Sequence, residues 1–220
     1  MKPVLVLSLL LAVSVSPIIG APADEANSKP ELLSRTGGGK TWSDLPELQK
    51  AAESGNHDAE AALGEMLVMG DQVTKDVPKG VALLEKAAKA NQATAAFRLG
   101  KMYDDGDGVA PDPSKAVAYY MQAAKAGVSA AQYNLGVLYL SAREGIKRDY
   151  KEGLAWLIVA TKHGASGDGE AKVRERLKKT RREAIIAQSE QRAAEIEKEL
   201  AATSGSNAQN ASESAPTSRK

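Results

Sequence analysis

Two histidines, a run of aspartates and a glycine-rich loop are the places where this chain could do chemistry. His57 and His163 are the natural general acid–base groups. His57 falls in a turn ahead of a helical pattern. His163 precedes Gly164 at the end of another, where a helix C-terminus favours a cation. Their places along the chain keep them far apart, so they do not read as a dyad. Asp104-Asp105-Gly106-Asp107-Gly108 has the composition of a calcium loop, which needs ligands at alternate positions and a glutamate at the twelfth. Counted from Asp105, the twelfth residue is Ala116, and the match fails. Thr36-Gly37-Gly38-Gly39-Lys40-Thr41 ends like a phosphate-binding loop. That motif wants a further glycine where Ser34 stands, with a strand before it and a core helix after, so a flexible linker is the reading. Because the chain has no cysteine, disulfides, thiolate metal sites, a cysteine nucleophile and a lipid-modified N-terminus are excluded. The expectation is a non-enzyme with no catalytic residue, cofactor or metal site.

The elements that carry these residues are repetitive. Leu63-Gly64, Leu99-Gly100 and Leu135-Gly136 recur every 36 residues, each preceded four residues earlier by Ala59, Ala95 or Ala131. Ala87-Ala88 and Ala123-Ala124 share the spacing, and Ala160-Thr161 follows 37 residues later, with one inserted residue between Tyr139 and Asp149. A fixed period of this length marks a solenoid. Each repeat divides into two helices. Ala95, Leu99, Met102 and Tyr103 share one helical face, as do Ala116, Tyr119, Tyr120, Ala123 and Ala124 on the next. Asp76, Asp112 and Asp149 are placed to cap the second helices, with Pro113 suited to a first helical position. Asn91, Gly127 and Gly164 are placed to end them in left-handed dihedrals. A mid-helix glycine costs about 1 kcal/mol relative to alanine. Three at one register imply close helix approach, with the alanine pairs as the expected partners.

The small residue four before Leu-Gly, the turn Gly106-Asp107-Gly108-Val109, Asp112 to Ala116 and Ala123 to Gly127 together resemble the Sel-1-like repeat, a relative of the tetratricopeptide repeat. The first copy departs at Gly70-Asp71-Gln72-Val73 and at Asn91, and the third has Ala142 in place of the turn glycine. The resemblance implies an all-α, right-handed α/α solenoid over residues 44–164, about three repeats behind an N-terminal half-repeat (Asp44 to Ser54, stopped by Gly55). It also implies a concave face lined by the first helices, binding a protein or peptide ligand. The inward positions would be Ala61, Phe97 and Tyr133, then Glu65, Lys101 and Val137, with Arg98 and Asn134 beside them. The candidate partner-binding residues are therefore Phe97, Arg98, Lys101, Tyr133 and Asn134. Arg98, Lys101 and Asn134 loosely resemble residues that grip peptide carboxylates in tetratricopeptide repeats. Tyr103, Tyr119 and Trp156 are assigned to the core. Some cysteine-rich family members are linked to β-lactam hydrolysis, but those cysteines are missing here. An adaptor of the bacterial cell envelope is the expected function. An envelope hydrolase acting on peptidoglycan or β-lactams and a self-associating scaffold using the C-terminal helices are the alternatives.

The ends complete the organisation. Met1-Lys2 and the apolar run Val4 to Val13 resemble a signal peptide over residues 1–23, too short to span a membrane, which predicts a periplasmic or secreted protein. Cleavage after Gly20 or Ala23 would remove Lys2 from the 29 basic residues and leave 28 against 28 acidic ones. A neutral balance does not suggest nucleic acid. Residues 24–43 read as a linker. Residues 165–201 read as capping helices, one over Glu170 to Lys179 with Ala171, Val173 and Leu177 inward. Another would start at a capping box, Thr180 to Glu183, with Ala184, Ile185, Ala187, Ala194, Ile196 and Leu200 as its stripe. Seven basic and two acidic residues between Glu170 and Arg182 form either a docking patch or a solvated face. Residues 202–220 read as a disordered tail.

Overall fold

A computed structural model of the chain describes Trp42, residues 44–143 and residues 145–213, with residues 204–213 as backbone alone. The signal peptide, most of the linker, the glycine-rich loop and residues 214–220 lie outside the described residues. The architecture is all-α, a repeat solenoid: α1 (Leu45–Glu53), α2 (His57–Met69), α3 (Val77–Lys89), α4 (Ala93–Asp105), α5 (Pro113–Lys125), α6 (Ser129–Leu140), α7 (Tyr150–Lys162), α8 (Gly169–Lys179) and α9 (Glu183–Glu213). The pairs α2–α3, α4–α5 and α6–α7 are the repeats, and each pair stacks on the next.

The repeated turn chemistry sets the pairing. The carboxylates of Asp76, Asp112 and Asp149 accept the backbone N–H groups of Lys79, Lys115 and Glu152. The caps' own N–H groups donate back to Leu67, Tyr103 and Tyr139 at 2.8–2.9 Å, tying each second helix to the end of the first. Asn91, Gly127 and Gly164 sit at φ of +65°, +89° and +84°, the left-handed stops expected at these sites. In the third repeat the missing turn glycine is replaced by a longer loop, closed by Gly145 at φ +79° and an isolated bridge between Arg143 and Ile146. At the N-terminal end α1 is capped by Asp44, and Trp42, Leu48 and Ala52 are buried against Leu63 and Leu67 of α2.

The mid-helix glycines do mark close approach, but not against the alanine pairs. A Cβ on Gly64 would sit 2.9 Å from the Gly80 carbonyl oxygen, and one on Gly80 would sit 2.7 Å from the Gly64 oxygen. Gly136 and Gly153 mirror this, each Cβ meeting the other's oxygen at 2.9 Å. In the middle repeat Gly100 lies against the ring of Tyr120, 2.6 Å from a built Cβ. The second-helix partners are thus one turn or more before the alanine pairs, at Gly80, Leu84, Tyr120, Gly153 and Leu157. The alanines themselves are buried in the main core.

The C-terminal cap differs from expectation in detail. Thr180 is no N-cap: its hydroxyl donates to the Arg176 carbonyl at 2.9 Å at the end of α8, Arg181 takes φ +54°, and α9 starts at Glu183. Ala171, Ala184, Ala187 and Ala194 are exposed, while Ile185 is half-buried. The buried stripe is Ser189, Ala193, Ile196 and Leu200, spaced to lie along one face against α7. The helix also continues beyond 201 to Glu213. A helix already nucleated by docking adds residues at little further cost.

Candidate partner-binding groove

The sequence-predicted groove residues separate into two places. Phe97, Lys101 and Asp104 lie at i, i+4 and i+7 on α4, each partly exposed. Phe97 packs on Tyr120 with ring centroids 5.9 Å apart. Asn134 of α6, also partly exposed, shares a side-chain hydrogen bond with Tyr120. Lys101 has no ion pair among the described residues. Arg98 is mostly covered and lies beside two carboxylates, Glu65 at 3.9 Å and Asp107 at 3.5 Å. It therefore clamps α4 to its neighbours more than it offers a cation to a ligand. Tyr133 leaves the groove altogether. It is buried with Leu154, Leu157, Val173 and Leu177, its ring covering Gly167 and Gly169 at the entry to α8. The cap that follows the last repeat covers the face that would otherwise expose it. Ala61, the corresponding residue of the first repeat, is buried as well.

The residues that organise the site are ones the sequence reading passed over. Tyr120 stands where the other repeats have Leu84 and Leu157. Its ring crosses Gly100, and its hydroxyl lies 3.5 Å from Asp104 Oδ2. Asp104, from the run that fails as a calcium loop, is largely covered and is bonded by Arg143 through its carboxylate and, at 3.3 Å, its backbone oxygen. Burial raises the Asp104 carboxyl above its ordinary value, and Asp105 adds to the rise while Arg143 and Tyr120 oppose it. Burial, reinforced by the Asp104 charge, likewise raises the Tyr120 phenol. Repeat alignment carried the signal for both: Asp104 is Val68 and Leu140 in the flanking copies, apolar positions that only the middle repeat makes polar. Tyr119, expected in the core, is only half-buried and stacks on Tyr103 at 5.8 Å, whereas Tyr103 and Trp156 are buried.

A second concavity of about 1170 Å³ lies between α1, α2 and α3. Leu45, Leu63, Leu67, Val73 and Leu83 line it, and Lys75 and Lys79 stand among its polar lining.

Neither histidine joins this site. His57 Nδ1 meets Glu60 at 2.8 Å, and His163 Nδ1 meets Gln132 Oε1 at 3.0 Å with its other nitrogen 3.2 Å from Glu197. Glu60 is fully buried. Desolvation pushes its carboxyl up, but Lys86 and His57 together outweigh that and hold it below the ordinary value. Among the described residues no three His, Asp or Glu side chains gather as a metal site, and no helix is long and apolar enough to cross a membrane.

The profile of the Sel1 repeat matches residues 57–92, 93–128 and 129–164, the same three helix pairs. A crystal structure of a Sel1 repeat protein from Oxalobacter formigenes is 33% identical, with a TM-score of 0.51, covering 56% of this chain and 92% of that one. The crystal structure of c5321, described as a protective antigen of uropathogenic Escherichia coli strains with an SLR fold, is 23% identical. Its TM-score is 0.51, over 80% of this chain and 44% of that one, a likeness of fold. No curated protein matches. The chain belongs to the Sel1 repeat family, whose repeats are generally protein–protein interaction modules.

Proposed function

We propose that this protein is a non-enzymatic adaptor of the cell envelope, binding a protein or peptide along the face shared by α4 and α6. The observation that supports this most is the polar cluster of Asp104, Tyr120 and Asn134 beside the uncompensated Lys101. Two of its members, Asp104 and Tyr120, stand where the flanking repeats carry the apolar residues Val68, Leu140, Leu84 and Leu157. A solenoid that makes one repeat polar at otherwise packed positions has a use for the partly exposed polar side chains beside them, Lys101 and Asn134. The half-buried Phe97 supplies an apolar anchor next to them. Because the groove is held by packed helices, binding orders little and affinity is spent on the partner. The envelope address rests on the apolar run Val4 to Val13 and its small-residue boundary.

The test is cross-linking in intact cells with affinity capture, comparing wild type with a Lys101→Glu, Asn134→Ala variant of equal helicity. A defined envelope protein captured by wild type and lost in the variant is the expected result. Equal capture by both would move the binding site elsewhere, and no capture would remove the adaptor reading.

A further inference from the structure

The basic stretch after the last repeat divides sharply into compensated and uncompensated charges. Lys172 pairs with Asp168 at 2.8 Å, Arg174 with Glu170 at 2.8 Å and Glu190 at 2.7 Å, and Lys179 with Glu175 at 2.7 Å. Arg176, Lys178, Arg181 and Arg182 have no carboxylate within 4.0 Å among the described residues. Arg182 turns instead to Tyr150 at the start of α7, its Cζ 5.9 Å from the ring centroid. Arg148 approaches the same ring at 5.7 Å and donates to the Tyr150 hydroxyl at 3.4 Å, again with no carboxylate partner.

Tyr150 is half-buried against the Leu154, Leu157 and Val173 cluster, so the platform is fixed by the core. The surrounding acids are already engaged. Asp149 is spent on the cap of α7, Glu152 pairs with Arg192 at 2.9 Å, and Glu170 and Glu190 hold Arg174; among the described residues Asp149 and Glu183 are the nearby acids without an ion pair. Two guanidinium groups within about 6 Å of one ring centroid add their positive potentials around it, which an anion docked there would offset. Lys147, Lys151 and Arg181, all exposed, widen the positive field around the pair.

We propose that Arg148, Tyr150 and Arg182 form a second docking surface, one that takes an acidic, carboxylate-bearing segment of a protein partner. Planar guanidinium forks match carboxylates bidentately, and both forks lie within about 6 Å of the Tyr150 ring centroid. The surrounding lysines would speed encounter and make it sensitive to salt. A membrane surface fits less well. Among the described residues the exposed large apolar side chain is Met69, on α2 in the first repeat, so this corner has no wedge to sink into a bilayer. The surface shares no residue with the α4–α6 face, and its test does not depend on that site.

The experiment is an NMR titration of the isotopically labelled full chain with three probes: a capped hexaglutamate peptide, a capped hexaglutamine peptide, and phosphatidylglycerol vesicles. Hexaglutamate is expected to shift the resonances of Arg148, Tyr150 and Arg182, and hexaglutamine to leave them in place. An Arg148→Gln, Arg182→Gln variant with an unchanged circular-dichroism spectrum should bind hexaglutamate about ten-fold more weakly or worse. Lys50→Glu, exposed on α1 and outside both surfaces, should bind it as wild type does. Raising salt from about 50 to about 300 mM should weaken binding. Hexaglutamate shifts that fall elsewhere, or equal binding by the double variant, would overturn the proposal. Vesicle binding without peptide binding would overturn it too, and would assign the corner to anionic lipid.

Discussion

Gly136→Ala separates helix propensity from helix contact because the two predict opposite signs. In a free helix the substitution stabilises by about 1 kcal/mol. Here the new methyl would lie 2.9 Å from the Gly153 carbonyl oxygen and 2.9 Å from Leu157 Cγ. Ordinary C···O contacts are about 3.3–3.6 Å, so α6 and α7 must separate by roughly half an ångström along a line where both backbones are packed. Over-packing of this kind costs about 1–3 kcal/mol, and the upper part of that range applies because the obstacle is backbone. The net expectation is a loss of about 1–2 kcal/mol, which lowers the melting temperature by about 2–8 °C in a domain of this size. Hydrogen exchange should place the loosening in α6 and α7, since repeats couple to nearest neighbours. Gly127→Ala is the control. Nothing lies within 4 Å of its built Cβ, and its φ of +89° alone should cost about 1–2 kcal/mol, without loosening α6 against α7. A Gly136→Ala protein that melts higher than wild type would refute the close-approach argument.

The other outcomes concern acid stability and the cap. Glu60 has its carboxyl lowered, so its contribution is present above the ordinary value of 4.5 and fades as the pH falls through its folded-state pKa. Glu60→Gln should therefore be less stable than wild type near pH 7, the two melting curves converging toward pH 3; a constant gap across that range would remove the ion-pair account. Ile196 is 1% exposed where α9 meets α7. Ile196→Ala should cost about 2–4 kcal/mol in urea unfolding, and a change below about 0.5 kcal/mol would show that α9 is not docked.

The solenoid was legible because its signals are local and recur. A capping aspartate, a left-handed stop and an apolar face each act within a few residues, and three copies average out the exceptions. The residues that failed were those whose environment comes from another repeat or from the cap. Tyr133 has the position of a groove residue, and it is buried because α8 folds over that end. Arg98 has the chemistry of a peptide clamp, and it is occupied by Glu65 of the preceding repeat and Asp107 of its own turn. Thr180 satisfied the pattern of a capping box, but the preceding helix claimed its hydroxyl first. Spacing alone reports which face a residue occupies, and nothing in it reports what covers that face.

The middle repeat shows how one departure from the pattern requires another. In the outer repeats glycine meets glycine, Gly64 with Gly80 and Gly136 with Gly153, and a leucine follows at Leu84 or Leu157. In the middle repeat the corresponding residues are Ala116 and Tyr120. The flat ring lies on Gly100, which a side chain there would obstruct, so Gly100 stays while its glycine partner need not. A leucine would end inside this contact. The tyrosine is longer, and its hydroxyl emerges at Asp104 and Asn134, which only a polar surface can accommodate. Arg143 then comes from the next repeat's loop to neutralise Asp104. The polarity of this face is thus built from the core outward, with Tyr120 as the link between the contact that packs the helices and the polar side chains of the proposed binding face.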